Sequence, residues 1–157
     1  MSTLVAWFSA EGTTEKFARS LAEAIQADEF EIRPEVPYSE ADIKWTNPLS
    51  RCNREKIGKK DVPVQAAVQN WEQYDMVCMG FPIWYYAAPN VINTFCKGYD
   101  WTGKKVVLFA TSGGSDIGRT AEKLRPYLKG EPEIVSAAVY RNVDDLRDAV
   151  KNIMGKA

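Results

Sequence analysis

The amino-acid sequence predicts a doubly wound α/β domain, in which helices cover both faces of one five-stranded parallel sheet. Strand-like and helix-like segments alternate along the 157 residues, the pattern that produces parallel sheets with right-handed crossovers. Three of the strand-like segments are apolar without interruption, as expected of strands buried on both faces. The second and fifth segments are placed at the sheet edges, which gives the strand order 2-1-3-4-5.

The first half of the chain supplies three strands and two helices. We predict strands at residues 3–8, 29–33 and 75–81, and helices at 14–26 and 64–73. The first helix places Phe17, Leu21 and Ile25 on one apolar stripe. A polar, proline-containing stretch at about 34–62 has no clean period, and loops of this length are usually functional or contain short helices. We treat it as an irregular insertion.

The second half continues the alternation. Pro89 and Gly98 bracket a third helix, because proline suits the first turn and glycine the end. A strand at 105–111 and a helix capped by Ser115 or Asp116 follow, and Pro126 must kink or shorten that helix. A strand at 133–140 and a helix from about 144 complete a single domain over residues 1–157.

Composition excludes several classes of function. The formal net charge is -1, which gives no electrostatic basis for binding nucleic acid or an anionic membrane. The longest apolar run, at 76–89, is too short and too interrupted to span a bilayer, and the N-terminus lacks the pattern of a signal peptide. We therefore expect a cytoplasmic protein with neither nucleic-acid nor membrane partners.

Histidine is absent, and the three cysteines form no C-x-x-C pair. The lack of histidine removes imidazole acid–base catalysis and histidine-ligated metals. An odd number of widely spaced cysteines is typical of a reducing compartment and of structural thiols. We predict no catalytic side chain and no metal site, so any reactive group comes from a cofactor.

The loop after the first strand has the composition of a phosphate-binding turn. Ligands of doubly wound sheets bind beyond the carboxyl ends of the strands, where the strand order reverses. Backbone N–H groups and hydroxyls at a helix start can cradle a phosphate. The G-x-x-x-x-G-K-[S/T] pattern is missing, which argues against triphosphate hydrolysis. Taken alone, the loop could also be a plain capping turn. Its residues are Ser9, Ala10, Glu11, Gly12, Thr13 and Thr14.

The loops after the third and fourth strands complete the predicted site. The first of them is aromatic and offers stacking surfaces to a flat conjugated ligand, although such side chains can also be core or interface residues. It contains Pro82, Ile83, Trp84, Tyr85 and Tyr86. The other is glycine-rich and can turn its amides toward the polar edge of a ring. It contains Thr111, Ser112, Gly113, Gly114, Ser115, Ile117 and Gly118. Together the three loops predict a flat, phosphorylated ring system as ligand.

These motifs resemble the flavodoxin family, in particular a bacterial branch with P-I-W-W-like and T-S-G-G-S-like loops. The resemblance covers essentially the whole chain and is strongest at residues 80–84 and 111–115. It implies a flavodoxin-like fold, non-covalent FMN held by the three loops, and one- or two-electron transfer. Three residues depart from the family pattern: Glu11 and Thr13 replace a threonine and an asparagine of the phosphate loop, and Tyr86 stands where the branch often has glycine.

Two functions follow from the resemblance. The leading hypothesis is a soluble electron carrier, a monomer or weak dimer that serves redox partner proteins or small electron acceptors. The alternative is an FMN-dependent NAD(P)H:quinone-type oxidoreductase, which needs room above the flavin for a second ring. A flavin-free receiver domain would need an acidic pocket after the first strand and a lysine after the fifth, and the sequence supplies neither.

Overall fold

Five parallel strands form one sheet in the computed structural model, which describes residues 2–9, 12–33, 64, 67–83, 89–111 and 120–155. The strand order is β2-β1-β3-β4-β5, and every neighbouring pair is parallel. The predicted fold class and strand order are therefore confirmed. The insertion predicted at 34–62 lies outside the described residues.

The helices and strands have the following bounds. The strands are β1 Thr3–Trp7, β2 Asp28–Glu31, β3 Met76–Pro82, β4 Lys105–Thr111 and β5 Glu133–Val139. The helices of the described residues are α1 Thr13–Ile25, α2 Asn90–Lys97, α3 Thr120–Leu124 and α4 Val143–Gly155. Short 3-10 turns occupy Trp71–Gln73 and Arg125–Tyr127.

Two local predictions have different outcomes. The helix predicted over 64–73 is wrong in extent, because only Trp71–Gln73 is helical in the described part of that range. Asn70 adopts the left-handed conformation with φ of 55°, and a right-handed helix cannot continue through it. The prediction for Pro126 is confirmed, since α3 passes at once into the 3-10 turn that holds this proline. The capping residues proposed for that helix, Ser115 and Asp116, lie outside the described residues.

Hydrophobic layers cover the sheet on both faces. One layer contains α1 and α4 and receives alternate residues of the central strands, among them Val5, Trp7, Cys78, Val107 and Phe109. The opposite layer contains α2 and α3 and receives Leu4, Ala6, Val77, Met79 and Leu108. Because both faces are covered, β1, β3 and most of β4 are buried along their length, which explains their uninterrupted apolar sequence. No helix in the described ranges is long and apolar enough to cross a membrane.

A glycine lies between two large aromatic residues in the last full row of the central sheet. Gly80 of β3 pairs with Trp7 of β1 on one side and with Phe109 of β4 on the other. A Cβ atom at Gly80 would lie 2.3 Å from two carbons of the Phe109 ring. Residue 80 must therefore be glycine for the Phe109 ring to lie where it does, immediately below the edge from which the loops leave.

A buried lysine fastens the opposite edge of the sheet. The Lys104 ammonium donates hydrogen bonds to the carbonyl oxygens of Trp71, at 3.1 Å, and Tyr74, and it lies 5.0 Å from the centre of the Trp71 ring. Two carbonyl oxygens and an aromatic face compensate the burial of this charge. The contacts connect the turn before β3 to the residue before β4, and they hold the amino ends of both strands together.

We predict that Gly80→Ala destabilises the protein by about 1–3 kcal/mol, because the added methyl group overpacks the site against Phe109. Urea unfolding measures the change, and Phe109→Leu in the Gly80→Ala background should recover part of it. Gly98→Ala is the matched control. Gly98 has an ordinary φ of -79°, and its added Cβ would meet only the Phe95 carbonyl oxygen at 3.4 Å. Equal losses in Gly80→Ala and Gly98→Ala would contradict this account of Gly80.

Candidate functional site

The ends of β1, β3 and β4 lie side by side at the carboxyl edge of the sheet. Pro82, the last residue of β3, pairs directly with Thr111, the last residue of β4. On the other side of β3, the N–H group of Phe8 donates to the carbonyl oxygen of Gly80 at 2.9 Å. The strand order reverses at β1 and β3, which is where doubly wound sheets bind ligands. The three loops named from the sequence therefore begin next to one another.

The first N–H groups of α1 have no acceptor within the helix and can serve a ligand. The first intrahelical hydrogen bond runs from Lys16 N–H to Gly12 O at 3.1 Å, so Thr13, Thr14 and Glu15 have no acceptor within the helix. Gly12 caps the helix with φ of +94°, and the space where its Cβ would lie is open to 4 Å. A helix start with an open cap is suited to bind an anion.

Ser9 closes the beginning of the loop before α1. Its Oγ accepts a hydrogen bond from the N–H group of Gly12 at 2.9 Å. This short contact orients the backbone at the glycine and leaves the N–H groups that follow it for another acceptor. The Ser9 hydroxyl group thus fixes the backbone of Gly12 immediately before α1.

A buried pair of hydroxyl groups joins the first loop to the third. Thr14 Oγ1 lies 2.7 Å from Thr111 Oγ1, and either oxygen can be the donor. Both threonines are buried, Thr14 at 2% exposure and Thr111 at 6%. The Thr111 carbonyl oxygen also accepts the N–H group of Ile83 at 3.3 Å. Thr111 therefore contacts the first and second loops and is itself the first residue of the third.

An ion pair reduces the negative potential beside the helix start. Glu15, in the first turn of α1, accepts a hydrogen bond from Arg19 Nε at 2.9 Å, and Arg19 lies 3.8 Å from Glu29. The hydrogen bond that Arg19 donates to Glu15 raises the pKa of Arg19 above its ordinary value. Because these groups are exposed, salt screens their interaction.

The three loops, at 9–14, 82–86 and 111–118, contain no lysine or arginine, so N–H and hydroxyl groups must supply the affinity for an anion.

The structure describes part of the predicted site. It brings Ser9, Gly12, Thr13, Thr14, Pro82, Ile83 and Thr111 to one edge of the sheet. The remaining predicted residues lie outside the described ranges, and their contacts with a ligand stay predictions. These are Ala10, Glu11, Trp84, Tyr85, Tyr86, Ser112, Gly113, Gly114, Ser115, Ile117 and Gly118.

Sequence reasoning missed two features that support the site. The Thr14–Thr111 contact joins residues 97 positions apart, and no local pattern indicates it. The only signal is that a buried apolar strand, β4, ends in a threonine. The need for glycine at position 80 was also missed, because it depends on the Phe109 ring of the neighbouring strand.

A cleft of about 470 Å³ lies at the opposite, amino edge of the sheet, beside Trp71 and Lys104. The side chains of Lys104, Asp100 and Thr102 in its lining are already paired. Lys104 donates to two backbone carbonyl oxygens, and Asp100 Oδ1 accepts hydrogen bonds from the N–H and hydroxyl groups of Thr102. Those two hydrogen bonds lower the pKa of Asp100. We therefore place the candidate site at the carboxyl edge, where helix-start donors lack partners within the helix.

The described residues include two cysteines whose thiols are buried and weakly nucleophilic. Cys78 and Cys96 are buried, and Cys96 Sγ lies 3.8 Å from the sulfur of Met79. Burial raises the pKa of Cys78 to about 12 and raises the pKa of Cys96 as well. Neutral, enclosed thiols are poor nucleophiles. Nor do the described residues contain a cluster of side chains that could hold a metal ion.

A family model described as Flavodoxin matches residues 2–153 of the chain. The match extends from the first described strand into the last described helix, so it covers the whole sheet and all three loops. No curated protein sequence matches the chain.

Solved structures with the same fold include three flavoproteins by name. A candidate flavoprotein from Bacteroides eggerthii is 36% identical, with 98% of each chain covered and a TM-score of 0.88. A second, from Bacteroides uniformis, is 35% identical over 96% of this chain and 97% of that one, with a TM-score of 0.81. A flavoprotein from Lactobacillus acidophilus in complex with FMN is 21% identical over 94% and 98%, with a TM-score of 0.68.

We predict that Cys78 and Cys96 resist alkylation in the native protein at about pH 8, close to the pKa of about 8.5 of an ordinary thiol. Burial keeps both thiols neutral and out of reach. Iodoacetamide labelling followed by peptide mass spectrometry measures this, with guanidinium-unfolded protein as the positive control. A Cys52→Ser variant leaves only the two thiols in question. Labelling of Cys78 or Cys96 in the native protein at the rate seen after unfolding would contradict the burial of these thiols in the core.

Proposed function

This chain belongs to the flavodoxin family, and we propose that it binds FMN at the carboxyl edge of its sheet and acts as an electron carrier. The observation that carries the proposal is the position of Thr111. This residue contacts the loop at the start of α1 and the loop after β3, and it begins the glycine-rich loop. Three loops whose compositions suit a phosphate, an aromatic ring and a polar ring edge thus share one anchoring point.

The first loop fits the phosphate of FMN. The open space beside Gly12 and the N–H groups of Thr13, Thr14 and Glu15 form a cradle for one phosphate group. The repulsion from Glu11 at 4 Å would cost about 1 kcal/mol in water and about 4 kcal/mol at an effective dielectric of 20. Several charge-assisted hydrogen bonds of about 1.5–3 kcal/mol each can outweigh it. The loop lacks the G-x-G-x-x-G pattern of a dinucleotide site, so FMN is favoured over FAD.

The second and third loops supply the ring site in this proposal. We assign the ring face to Trp84 or Tyr85, because consecutive aromatic side chains between Pro82 and Pro89 cannot all enter the core. We assign the carbonyl edge of the ring to the backbone amides of residues 112–115 and 117–118. The crystal structure of the Lactobacillus acidophilus flavoprotein in complex with FMN, a protein that shares the fold, supports this cofactor.

The chain contributes binding and orientation, and bound FMN supplies one- or two-electron redox chemistry. The sequence has no histidine, and the described thiols Cys78 and Cys96 are buried and neutral. We favour a carrier that exchanges electrons with partner proteins or small acceptors. The alternative is an NAD(P)H:quinone-type oxidoreductase, which needs room above the flavin for a second ring. We further propose a monomer or weak dimer in the cytoplasm, where unpaired cysteines are usual.

Anaerobic reduction of the FMN-loaded protein tests the proposal. We expect the apoprotein to bind one FMN, to quench its fluorescence, and to prefer FMN over riboflavin and FAD. The loaded protein should accept electrons from dithionite and pass them to acceptor proteins, with no rapid turnover between NAD(P)H and a quinone. Free FMN in the same cuvette is the control for uncatalysed reduction.

Two results would contradict the proposal in different ways. An apoprotein that leaves FMN fluorescence and absorbance unchanged would show that the chain does not bind the cofactor. Rapid quinone turnover with NADH or NADPH would keep the cofactor and replace the carrier by the oxidoreductase.

A further inference from the structure

We propose that Thr111 is a positioning residue for the phosphate of FMN and that its hydroxyl group acts through Thr14. This assignment rests on the proposed function, because it takes the start of α1 as the phosphate site. It is not what the location of Thr111 suggests. Thr111 ends β4 and begins the loop that the sequence assigns to the edge of the flavin ring. From this location alone, Thr111 would be expected to affect binding of the ring and not of the phosphate.

The contact between the two hydroxyl groups is enforced by burial. Thr14 Oγ1 and Thr111 Oγ1 lie 2.7 Å apart, and both residues are more than nine-tenths buried. A buried hydroxyl group without a partner is costly, because it loses its hydrogen bonds to water. The pair therefore fixes the orientation of the Thr14 side chain in the first turn of α1.

The number of hydroxyl protons in the pair determines which further hydrogen bond it can donate. Two hydroxyl groups carry two protons, and their mutual contact uses one of them. When Thr111 is the donor, the Thr14 proton remains for an acceptor at the helix start. A phosphate group bound there offers only strong acceptor oxygens once it is fully ionised, so it favours this arrangement over the reverse. Hydrogen bonds that run in one direction also strengthen each other.

The backbone of β4 holds the Thr111 hydroxyl group in place. Thr111 pairs with Pro82 in the sheet, and its carbonyl oxygen accepts the N–H group of Ile83 at 3.3 Å. A rigid, buried strand end thus presents the hydroxyl group to α1. In the described part of the first loop, the backbone contact of Gly12 with Ser9 constrains the turn but does not reach Thr14. Orientation of Thr14 therefore comes from β4.

A purely structural role for Thr111 makes a different prediction. If the hydroxyl pair only ties two loops together, its loss should weaken the binding of FMN and riboflavin by the same factor, since the ring loop follows Thr111 directly. If the pair directs a proton toward the phosphate, its loss should weaken FMN alone. Riboflavin has the same ring and no phosphate, so the ratio of the two dissociation constants separates the two roles.

The experiment measures the dissociation constants of FMN and riboflavin by fluorescence quenching for the wild-type protein and its variants. Thr111→Val replaces the hydroxyl by a methyl group of similar size. We expect FMN affinity to fall roughly 5- to 30-fold, the range for a lost buried hydrogen bond. Riboflavin affinity should stay within about 2-fold. Thr111→Ser retains the O–H group and should restore the preference for FMN.

Further variants keep the test decisive. Thr14→Val should reproduce the selective loss, and the Thr14→Val/Thr111→Val double variant should be no worse than Thr14→Val alone, because both changes break the same chain of hydrogen bonds. Thermal unfolding of each apoprotein reports whether the fold is kept. If Thr111→Val does not fold, Thr111→Ala removes the hydroxyl group without adding bulk and replaces it in the comparison.

The outcomes separate this inference from the proposed function. Equal losses for FMN and riboflavin, or an unchanged FMN affinity, in folded Thr111→Val would overturn the role of Thr111 and leave FMN binding intact. A wild-type protein that binds neither compound, or binds both equally, would overturn the phosphate site itself. A loss confined to FMN that Thr111→Ser restores would establish Thr111 as the positioning residue.

Discussion

The ring of Phe109 lies over Gly80, and this contact controls the geometry of the functional edge. Gly80 pairs with Trp7 and Phe109 in one row of the central sheet, so a side chain at position 80 would have no space beside the Phe109 ring. Two rows further along, strands β3 and β4 end with Pro82 and Thr111. Because β3 and β4 end side by side, the loops that follow them begin next to each other. The contacts between the loops depend on that alignment.

The two edges of the sheet serve different purposes. At the amino edge, Lys104 is buried against carbonyl oxygens and the Trp71 ring, and its donors are used within the fold. At the carboxyl edge, the helix-start N–H groups of Thr13 and Thr14 have no acceptor within the helix. This difference explains why the cleft beside Trp71 is a poor candidate for the site.

The sequence predicts the sheet well because strands that are buried on both faces have a recognisable apolar sequence. Strands β1, β3 and β4 each contain an uninterrupted apolar run, which is typical of strands that are buried on both faces. The helix predicted over 64–73 is wrong because one backbone conformation, the left-handed Asn70, overrides a weak helical pattern. The loops were identified by composition, but the Thr14–Thr111 contact was not, since it depends on how α1 packs against the end of β4.

The central claim is that the carboxyl edge of the sheet, with the start of α1, holds one FMN molecule. Amide NMR spectra of ¹⁵N-labelled apoprotein titrated with FMN test it most directly, because each backbone N–H group reports on its own surroundings. The account predicts the largest shifts at Gly12, Thr13, Thr14, Ile83 and Thr111, with little change near Lys104. Shifts centred on the Lys104 edge, with the start of α1 unaffected, would contradict it.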